Sequence, residues 1–214
     1  MWNTKKNIGI FSRIARHWIS PESIAYLILF VTDKCNAQCR MCFSHDGMSD
    51  KDEKKSKKIL SLSDIEKILS HRSLNNLVQF TISGGEPFLR NDLEDILNIY
   101  SKLHPYSRLT LPTNGILTDR IVNVMKHFVQ NNRTLDINLP LTVLGAGDKH
   151  DDITGVRGHF KKLNKTIEAL QSLRSYPNFK IPGITVLSSF NQPYIEEVIK
   201  FFKEKKSCFD GFKG

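Results

Sequence analysis

Five short apolar runs recur along the chain, and a segment with helical periodicity follows each run. The runs cover residues 25–32, 77–83, 108–113, 134–143 and 180–187. Most are near-continuous hydrophobic stretches, which is typical of strands that are covered on both faces. Strands that alternate with helices indicate βαβ units, and right-handed crossovers curl such units into a barrel. The sequence therefore predicts an α/β fold, a partial parallel (β/α) barrel of about five to six βα units.

Sequence signals for helix starts occur between the apolar runs. Ser63 and Glu66 form a capping-box pattern ahead of an apolar stretch, and Thr118 opens another helical segment. A stripe of apolar residues predicts a long helix over residues 158–175. These segments supply the helices that the predicted βα units need.

The length of 214 residues fits a single domain whose core needs no disulfide bonds. We expect residues 24–206 to form this core domain, with residues 1–23 as a lead-in and residues 207–214 as the start of a truncated sixth strand. A parallel barrel that lacks a strand exposes an edge and apolar surface. We therefore expect a partner protein or a second copy of the chain to cover that open edge.

The cysteine content and the N-terminal sequence indicate a cytoplasmic protein. Three of the four cysteines lie within eight residues, which is unlike the disulfide frameworks of secreted proteins. The longest apolar run, residues 24–31, is too short to span a bilayer, and no secretory signal precedes it. We expect a reducing compartment and no association with a membrane.

The formal net charge of +9 raises the question of a nucleic-acid partner. Much of the excess lies in residues 51–58 and 203–206, where acidic residues are interspersed and no aromatic residues alternate with the charges. A stacking platform for single strands requires such aromatic residues. The charge pattern therefore argues against nucleic acid and favours an anionic substrate or an acidic partner surface.

The stretch "TDKCNAQCRMCF", residues 32–43, follows the first apolar run directly. It contains Cys35, Cys39 and Cys42. A tight loop can turn three thiolates with this spacing toward one point, and thiolates suit iron–sulfur clusters, zinc or copper(I). His45 could complete a structural zinc site of three cysteines and one histidine. The spacing alone leaves the iron–sulfur and zinc alternatives open.

Three further motifs stand at the ends of predicted strands. "SGGEP" (83–87) follows the second run, "TNG" (113–115) the third and "GAGDKHD" (145–151) the fourth. Ligands of parallel sheets bind beyond the carboxyl ends of the strands, so these motifs should meet the cysteine segment at one edge. Two glycines allow a backbone to approach a ligand closely, and Glu86 beside them could then hold an ammonium group.

The remaining polar candidates have simpler interpretations. His150, Asp151 and Asp152 precede a long helix, a context that favours capping and dipole compensation over catalysis. The other histidines considered show no metal-ligand spacing and are interpreted as surface or packing residues: His17, His71, His104, His127 and His159.

The pattern C-x3-C-x2-C after the first predicted strand, with GGEP after the second, resembles the radical SAM superfamily. The resemblance continues through Asn114–Gly115 and through "GAGDKHDDITGVRGHF" after the fourth strand, and it covers roughly residues 24–206. It implies the core domain of a radical SAM enzyme. Many members carry a C-terminal region with auxiliary clusters, and this sequence lacks the cysteines of such a region.

In that family, three cysteines bind three irons of a 4Fe–4S cluster, and the fourth iron is left open for S-adenosylmethionine. The resemblance implies that Cys35, Cys39 and Cys42 are the cluster ligands. Reductive cleavage of the bound S-adenosylmethionine yields a 5′-deoxyadenosyl radical, which abstracts hydrogen from an organic substrate. The resemblance thus implies an oxidoreductase that acts on a peptide or a small metabolite and receives electrons from a donor such as a flavodoxin or ferredoxin.

The resemblance also assigns contacts to the second cofactor. Gly84, Gly85 and Glu86 would line the methionine end of S-adenosylmethionine, and Glu86 would meet its ammonium group. Met41 stands where the family often has an aromatic residue beside the adenine, and a thioether can pack against a ring as well. Asn114, in the loop after the third strand, lies close enough to contribute.

The fourth-strand region departs from the family pattern. Thr142 keeps the hydroxyl of a serine that lies near the ribose or carboxylate of the cofactor in relatives, but Leu144 replaces a polar residue. Thr154 stands where an arginine is common, and Pro140 interrupts the strand, which predicts a bulge or an edge there. These departures keep an alternative open: a truncated or degenerate, non-catalytic protein that binds an iron–sulfur cluster or zinc.

Overall fold

The computed structural model describes residues 22–42 and 59–210, together with Ser12, Ile14 and Ala15. Its strands are, in chain order, β1 (Tyr26–Thr32), β2 (Gln79–Gly84), β3 (Arg108–Thr110), β4 (Asp136–Asn138), β5 (Leu141–Thr142), β6 (Phe179–Lys180) and β7 (Gly183–Ile184). The main sheet has five parallel strands in the order β1–β2–β3–β4–β6. β5 and β7 pair in a second parallel sheet, so every described pairing is parallel.

Helices separate these strands. They are α1 (Leu62–Leu69), α2 (Leu93–Leu103), α3 (Thr118–Asn131), α4 (Asp148–Thr154), α5 (His159–Ala169) and α6 (Ile195–Glu204), with short 3-10 helices at Arg72–Leu74, Pro87–Leu89, Leu170–Ser175 and Gln192–Tyr194. α1, α2 and α3 follow β1, β2 and β3; α4 and α5 follow β5, and α6 follows β7. This alternation around a parallel sheet confirms the predicted α/β class with its five βα units.

Two of the predicted strands are interrupted by proline. The apolar run 134–143 forms β4 and β5 with Pro140 between them, and the run 180–187 contains a similar break at Pro182. Proline donates no hydrogen bond to a sheet, but its carbonyl still accepts one. The N–H of Thr113 donates to Pro140 O at 3.0 Å, and that of Leu141 donates to Pro182 O at 2.9 Å. Neighbouring segments therefore stay hydrogen-bonded across both breaks.

The capping box of α1 lies two residues before the predicted one. The Ser61 hydroxyl accepts from Asp64 N at 3.2 Å, and the Asp64 carboxylate accepts from Ser61 N at 3.0 Å. The prediction of Ser63 with Glu66 is wrong, because the helix begins at Leu62 and both residues lie inside it. An acidic residue at the third helical position fulfils the same role in either register.

The helical segments around "GAGDKHD" differ from the prediction in two ways. Residues 148–154 form α4, a helix that the sequence analysis did not predict separately. The predicted helix over residues 158–175 is α-helical only to Ala169 and continues as a 3-10 helix through Leu170–Ser175.

The hydrophobic core lies between the helices and one face of the main sheet. Phe80 and Ile82 of β2, Leu109 of β3 and Ile137 of β4 are fully buried in it. Tyr100 of α2 packs on Phe80 with ring centroids 4.7 Å apart. These buried strand residues all lie in the apolar runs from which the strands were predicted.

Among the described residues, β1 is covered on one face only, whereas its sequence predicted a strand covered on both. Leu27 and Leu29 pack against the core. Tyr26, Ile28 and Phe30 alternate with them, and their side chains are exposed in the described part of the chain. Successive side chains of a strand point to opposite faces, so an edge strand can be apolar throughout and still leave one face open.

The described C-terminal residues return to the end of β6. Residues 207–210 form a turn and a bend, and Phe209 is buried. The N–H of Asp210 donates to Ile181 O at 3.0 Å, and its carboxylate accepts from Ile181 N at 2.7 Å. Residues 211–214 lie outside the described residues, so the sixth strand stays a prediction.

Most of the predicted lead-in, residues 1–23, and the polar stretch 44–58 with its basic run also lie outside the described residues. Among the helices that the structure does describe, none combines the length and the apolar character needed to cross a membrane.

Candidate functional site

The loop after β1 carries the three cysteines and is anchored on α4. The N–H of Gln38 donates to Thr154 O at 2.8 Å, and that of Arg40 donates to Ile153 O at 3.0 Å. These two carbonyls belong to the last turn of α4, where no further turn of helix is available to accept their bonds. α4, which the sequence did not predict, is therefore the support for the cysteine loop.

The three thiols lie close enough to influence one another. Cys35 is exposed, whereas Cys39 and Cys42 are partly buried. Burial raises the pKa of Cys39 to about 11, and negative charge on Cys35 and Cys42 adds to the rise. Burial likewise raises the pKa of Cys35, with further contributions from the charges of Glu86 and Cys42. Within the described ranges, no three His, Cys, Asp or Glu side chains surround a position for a single metal ion.

Gly84 and Gly85 allow the GGEP turn to pack directly on the backbone of the cysteine loop. A Cβ atom at Gly84, which has φ +123°, would lie 2.2 Å from Thr32 O, and one at Gly85 would lie 2.1 Å from Lys34 O. The N–H groups of Gly85 and Glu86 donate to these same carbonyls, each at 2.8 Å. The close approach that the glycines permit is thus a contact between two loops.

Glu86 joins the GGEP turn to the loop after β3. Its side chain is 1% exposed, and its Oε1 accepts from Phe88 N at 3.1 Å and from Thr113 Oγ1 at 2.9 Å. Its Oε2 accepts from Asn114 N at 2.9 Å. Burial raises the pKa of this carboxyl to about 7, against the lowering effect of the three hydrogen bonds.

Asn114 connects the loop after β3 to the cysteine loop. Its Nδ2 donates to Asn36 Oδ1 at 2.7 Å and to Cys35 Sγ at 3.9 Å. Its Oδ1 accepts from Ile116 N at 3.0 Å, which holds the side chain in one orientation. Three of the motifs that were expected to converge therefore do so through direct hydrogen bonds.

The two remaining predicted cofactor contacts lie beside this network. Thr142 is in β5, and its N–H donates to Thr113 O at 3.2 Å, one residue before Asn114. Met41 is partly exposed in the turn that precedes Cys42. Their contacts to a cofactor stay predictions, and so does a zinc ligand at His45, which lies outside the described residues.

Asp151 caps α5, as the sequence suggested for the acidic pair. Its carboxylate accepts from the N–H of Gly158 and, at 2.8 Å, from that of Phe160. Both N–H groups belong to the start of α5, where they have no partner within the helix. His150 is fully buried inside α4, and its Nδ1 accepts from Leu144 N at 3.2 Å.

Two arginines that the sequence analysis missed bond the segments that flank the GGEP turn. Arg90 donates to Val31 O at 2.6 Å and to Leu60 O at 2.8 Å, and it pairs with Asp92 at 2.6 Å. Arg120 donates to the carbonyls of Phe88 and, at 2.7 Å, of Arg90. Arg90 closely follows GGEP in the chain, and this proximity was the only signal for it.

His159 is a further site residue that sequence reasoning missed. It was interpreted as a surface or packing residue, and it is indeed buried, but its ring also bonds the site. Nε2 lies 2.8 Å from Asn114 O, and Nδ1 lies 2.9 Å from Thr154 Oγ1. The contact joins residues 45 positions apart, so no local pattern could indicate it.

Comparison with known proteins places these motifs in a family. The sequence model described as the radical SAM superfamily matches residues 29–202. A GTP 3′,8-cyclase of Alkaliphilus oremlandii (strain OhILAs) is 26% identical over 183 residues, which is 85% of this chain and 53% of the relative. The corresponding protein of Clostridium botulinum (strain Okra / Type B1) is also 26% identical, over 86% of this chain and 54% of its own length.

Solved structures show the same fold. Native anSMEcpe with bound AdoMet superposes with a TM-score of 0.66 at 24% identity, over 86% of this chain and 50% of that one. SuiB of Streptococcus suis superposes with a TM-score of 0.61 at 18% identity, over 91% of this chain and 41% of that one. This chain spans about half the length of the curated relatives it matches. Since the family match covers far more than half of its residues, the chain belongs to the radical SAM superfamily.

Proposed function

We propose that the chain is a radical SAM enzyme core that holds a 4Fe–4S cluster and S-adenosylmethionine at the carboxyl edge of the main sheet. In this proposal Cys35, Cys39 and Cys42 are the cluster ligands. The observation that carries it is the convergence of the cysteine loop, the GGEP turn and the loop after β3, joined by the hydrogen bonds of Glu86 and Asn114. Family membership supports the same assignment.

The donor set fits an iron–sulfur cluster. Three thiols lie on one anchored loop, and negative charge on neighbouring thiolates adds to the rise that burial causes in the pKa of Cys35 and of Cys39. A bound cationic cluster relieves this repulsion, because metal binding replaces the thiol protons. A 4Fe–4S cluster takes each protein sulfur on a different iron, so its ligands need not surround a single-ion position.

The chain's own residues would position the cofactors. When bound, the cluster supplies the electron that cleaves S-adenosylmethionine to methionine and a 5′-deoxyadenosyl radical, which abstracts hydrogen from the substrate. Gly84, Gly85 and Glu86 would line the methionine end, and Met41 would pack beside the adenine. Thr142, tied to the loop after β3, would offer its hydroxyl to the ribose or carboxylate.

The substrate in this proposal is a peptide or a small metabolite. The similar proteins indicate one substrate class each. The curated relatives are GTP 3′,8-cyclases, and the structure of anSMEcpe has been solved with the peptide Kp18Cys. GTP and a cysteine-containing peptide are therefore the first substrates to test.

We further propose a cytoplasmic protein whose electron donor is an acidic flavodoxin or ferredoxin, since the net charge of +9 favours association with an acidic surface. Reduction rates that do not fall with rising salt concentration would contradict this donor class.

One observation favours a second candidate, a non-catalytic protein that binds a cluster. If the glycines of GGEP and Glu86 served only to hold S-adenosylmethionine, a purely structural metal site would not need them. In the structure they have roles in folding as well, because the glycines admit the backbone of Thr32 and Lys34, and Glu86 fastens Asn114. The same residues are therefore expected in a protein that binds a cluster without catalysis.

The deciding experiment is anaerobic reconstitution followed by reduction with dithionite and addition of S-adenosylmethionine. Cys39→Ala removes a proposed ligand, and Cys208→Ala is the matched control, because Cys208 is partly buried but lies outside the cysteine loop. We expect 5′-deoxyadenosine from the wild type and the control, and none from Cys39→Ala. Four irons bound without this product would support the non-catalytic candidate, and zinc in place of iron would overturn the proposal.

A further inference from the structure

We propose that His159 is a positioning residue for the cluster site, because it holds Asn114 in the orientation from which the Asn114 amide donates to Cys35 Sγ. The inference rests on the proposed function in one respect, namely that Cys35 ligates the cluster. The residues concerned are the first residue of α5, the loop after β3 and the cysteine loop.

The geometry fixes the hydrogen positions on the His159 ring. A backbone carbonyl only accepts, so Nε2, 2.8 Å from Asn114 O, must carry the hydrogen. Burial lowers the pKa of His159, and the ring is therefore neutral near pH 7. Nδ1 then has a free lone pair, and the Thr154 hydroxyl donates to it at 2.9 Å in preference to Asp151 O, which lies 3.3 Å from the same hydroxyl.

His159 is itself held firmly. Its side chain is 1% exposed, and its ring stands edge-on to that of His150 at a centroid distance of 4.4 Å. Thr154, which bonds Nδ1, also accepts the N–H of Gln38 at its carbonyl. One residue of α4 therefore contacts both the cysteine loop and the histidine that reaches Asn114.

Asn114 is fixed on both sides of its Cα atom by this arrangement. Its N–H donates to Glu86 Oε2 at 2.9 Å, and its carbonyl accepts from His159. With both peptide groups bound, the side chain is directed at the cysteine loop, where Nδ2 reaches Asn36 Oδ1 and Cys35 Sγ. Loss of the His159 bond would leave a partly buried carbonyl without this partner and allow the second peptide group to rotate.

A hydrogen bond to a ligating sulfur changes the electronic properties of the cluster. The N–H withdraws electron density from the thiolate, which favours the reduced cluster and raises its reduction potential. His159 would therefore affect the cluster potential through Asn114 without touching the cluster or S-adenosylmethionine.

The test uses two substitutions at His159 and one beside it. His159→Leu removes the donor to Asn114 O, whereas His159→Gln retains a side-chain N–H that can replace it. Thr154→Val has nearly the same shape and removes the hydroxyl, which contacts Asp151 O at 3.3 Å as well as His159 Nδ1. The matched control is His104→Leu, because His104 is 3% exposed and its Nε2 lies 2.9 Å from the carbonyl of Leu69, far along the chain from the site.

The first readout is hydrogen exchange of residues 111–117 in the cluster-free protein. We expect about tenfold faster exchange there in His159→Leu, a smaller increase in Thr154→Val, and protection close to wild type in His159→Gln and in His104→Leu. Equal protection in His159→Leu and wild type overturns the proposal, and so does an equal loss in His104→Leu.

The second readout is the midpoint potential of the reconstituted cluster, followed by electron paramagnetic resonance without S-adenosylmethionine. We expect a shift to more negative potential in His159→Leu, largely reversed in His159→Gln. An unchanged potential overturns the electronic part of the proposal. If the protein binds no iron, the proposed function fails, while the exchange experiment still decides whether His159 positions Asn114.

Discussion

Glu86 is a buried carboxylate that accepts three hydrogen bonds from two loops. Because every one of its recorded partners is a donor, the side chain must present acceptors on both oxygens. Within the described residues, Asn114 N is the only donor to Oε2. Glu86 thus sets the distance between the GGEP turn and the loop that carries Asn114.

Glu86→Gln is expected to lower the free energy of unfolding by about 1–3 kcal/mol. The glutamine amide nitrogen must face either Asn114 N or both Phe88 N and Thr113 Oγ1, so one backbone N–H loses its acceptor. Urea unfolding of the cluster-free protein measures the change. Glu66→Gln, on the exposed side of α1, is the control and should change the free energy little. A Glu86→Gln protein as stable as wild type would show that the three bonds contribute nothing.

His150 is expected to make the protein less stable in acid. Burial, with a further contribution from His159, lowers the pKa of His150 from 6.5 to about 3. Between these values the unfolded chain binds a proton that the native chain does not, so this contribution to stability is complete above pH 6.5 and falls as the pH drops. At about pH 5 the loss amounts to about 2 kcal/mol.

The measurement is the free energy of unfolding near pH 7 and near pH 5 in wild type and His150→Leu. The substitution removes the acceptor of Leu144 N and lowers stability at both pH values, but it should also remove the acid-dependent loss of about 2 kcal/mol. Other titrating groups affect both proteins alike. The same pH dependence in both proteins would mean that His150 ionises in the native state.

At the scale of elements, α4 supports the cysteine loop, and Gly155 ends that helix. Gly155 has φ +67°, and a Cβ atom there would lie 3.2 Å from both Gln38 Cβ and Gln38 O. Gly158, three residues later, has φ +77°, but its added Cβ atom would meet nothing within 4 Å. Both glycines therefore adopt a positive φ that disfavours other residues, but only Gly155 contacts the cysteine loop.

Gly155→Ala and Gly158→Ala separate backbone strain from loop contact. We expect each to lower the free energy of unfolding by about 1–2 kcal/mol, because alanine is strained at positive φ. Only Gly155→Ala should also speed hydrogen exchange in residues 35–42, since its Cβ pushes on Gln38. Equal exchange in the two variants would show that α4 does not hold the loop through this contact.

The elements illustrate how far the sequence could predict the fold and the site. The five βα units, Cys35, Glu86 and Asn114 could be found because apolar periodicity and the ends of parallel strands follow local rules. The register of the α1 cap depended on where the helix began, and two nearby serines, Ser61 and Ser63, fit that pattern equally well. His159 and the support from α4 could not be found, because they depend on which distant segments meet in the folded chain.

For the molecule as a whole, the notable surface feature is the exposed apolar face of β1. Tyr26, Ile28 and Phe30 are exposed on the edge strand of the main sheet, and Val186 and Leu187 are exposed after β7, in the described part of the chain. The chain spans about half the length of its curated relatives. The sequence led us to expect a partner or second copy over the barrel edge left by a missing sixth strand, which is the β6 end of the main sheet, and this stays a prediction.

An exposed apolar edge strand promotes self-association, so we expect this chain to associate increasingly as its concentration rises. Phe30→Thr should reduce that association, measured by sedimentation velocity, and should leave the free energy of unfolding nearly unchanged, because Phe30 is 54% exposed. Tyr106→Thr is the matched control, since Tyr106 is also 54% exposed but lies between α2 and β3. If both substitutions reduce association equally, the association arises from exposed apolar surface in general. If the wild type stays monomeric, copies of the chain do not associate through β1.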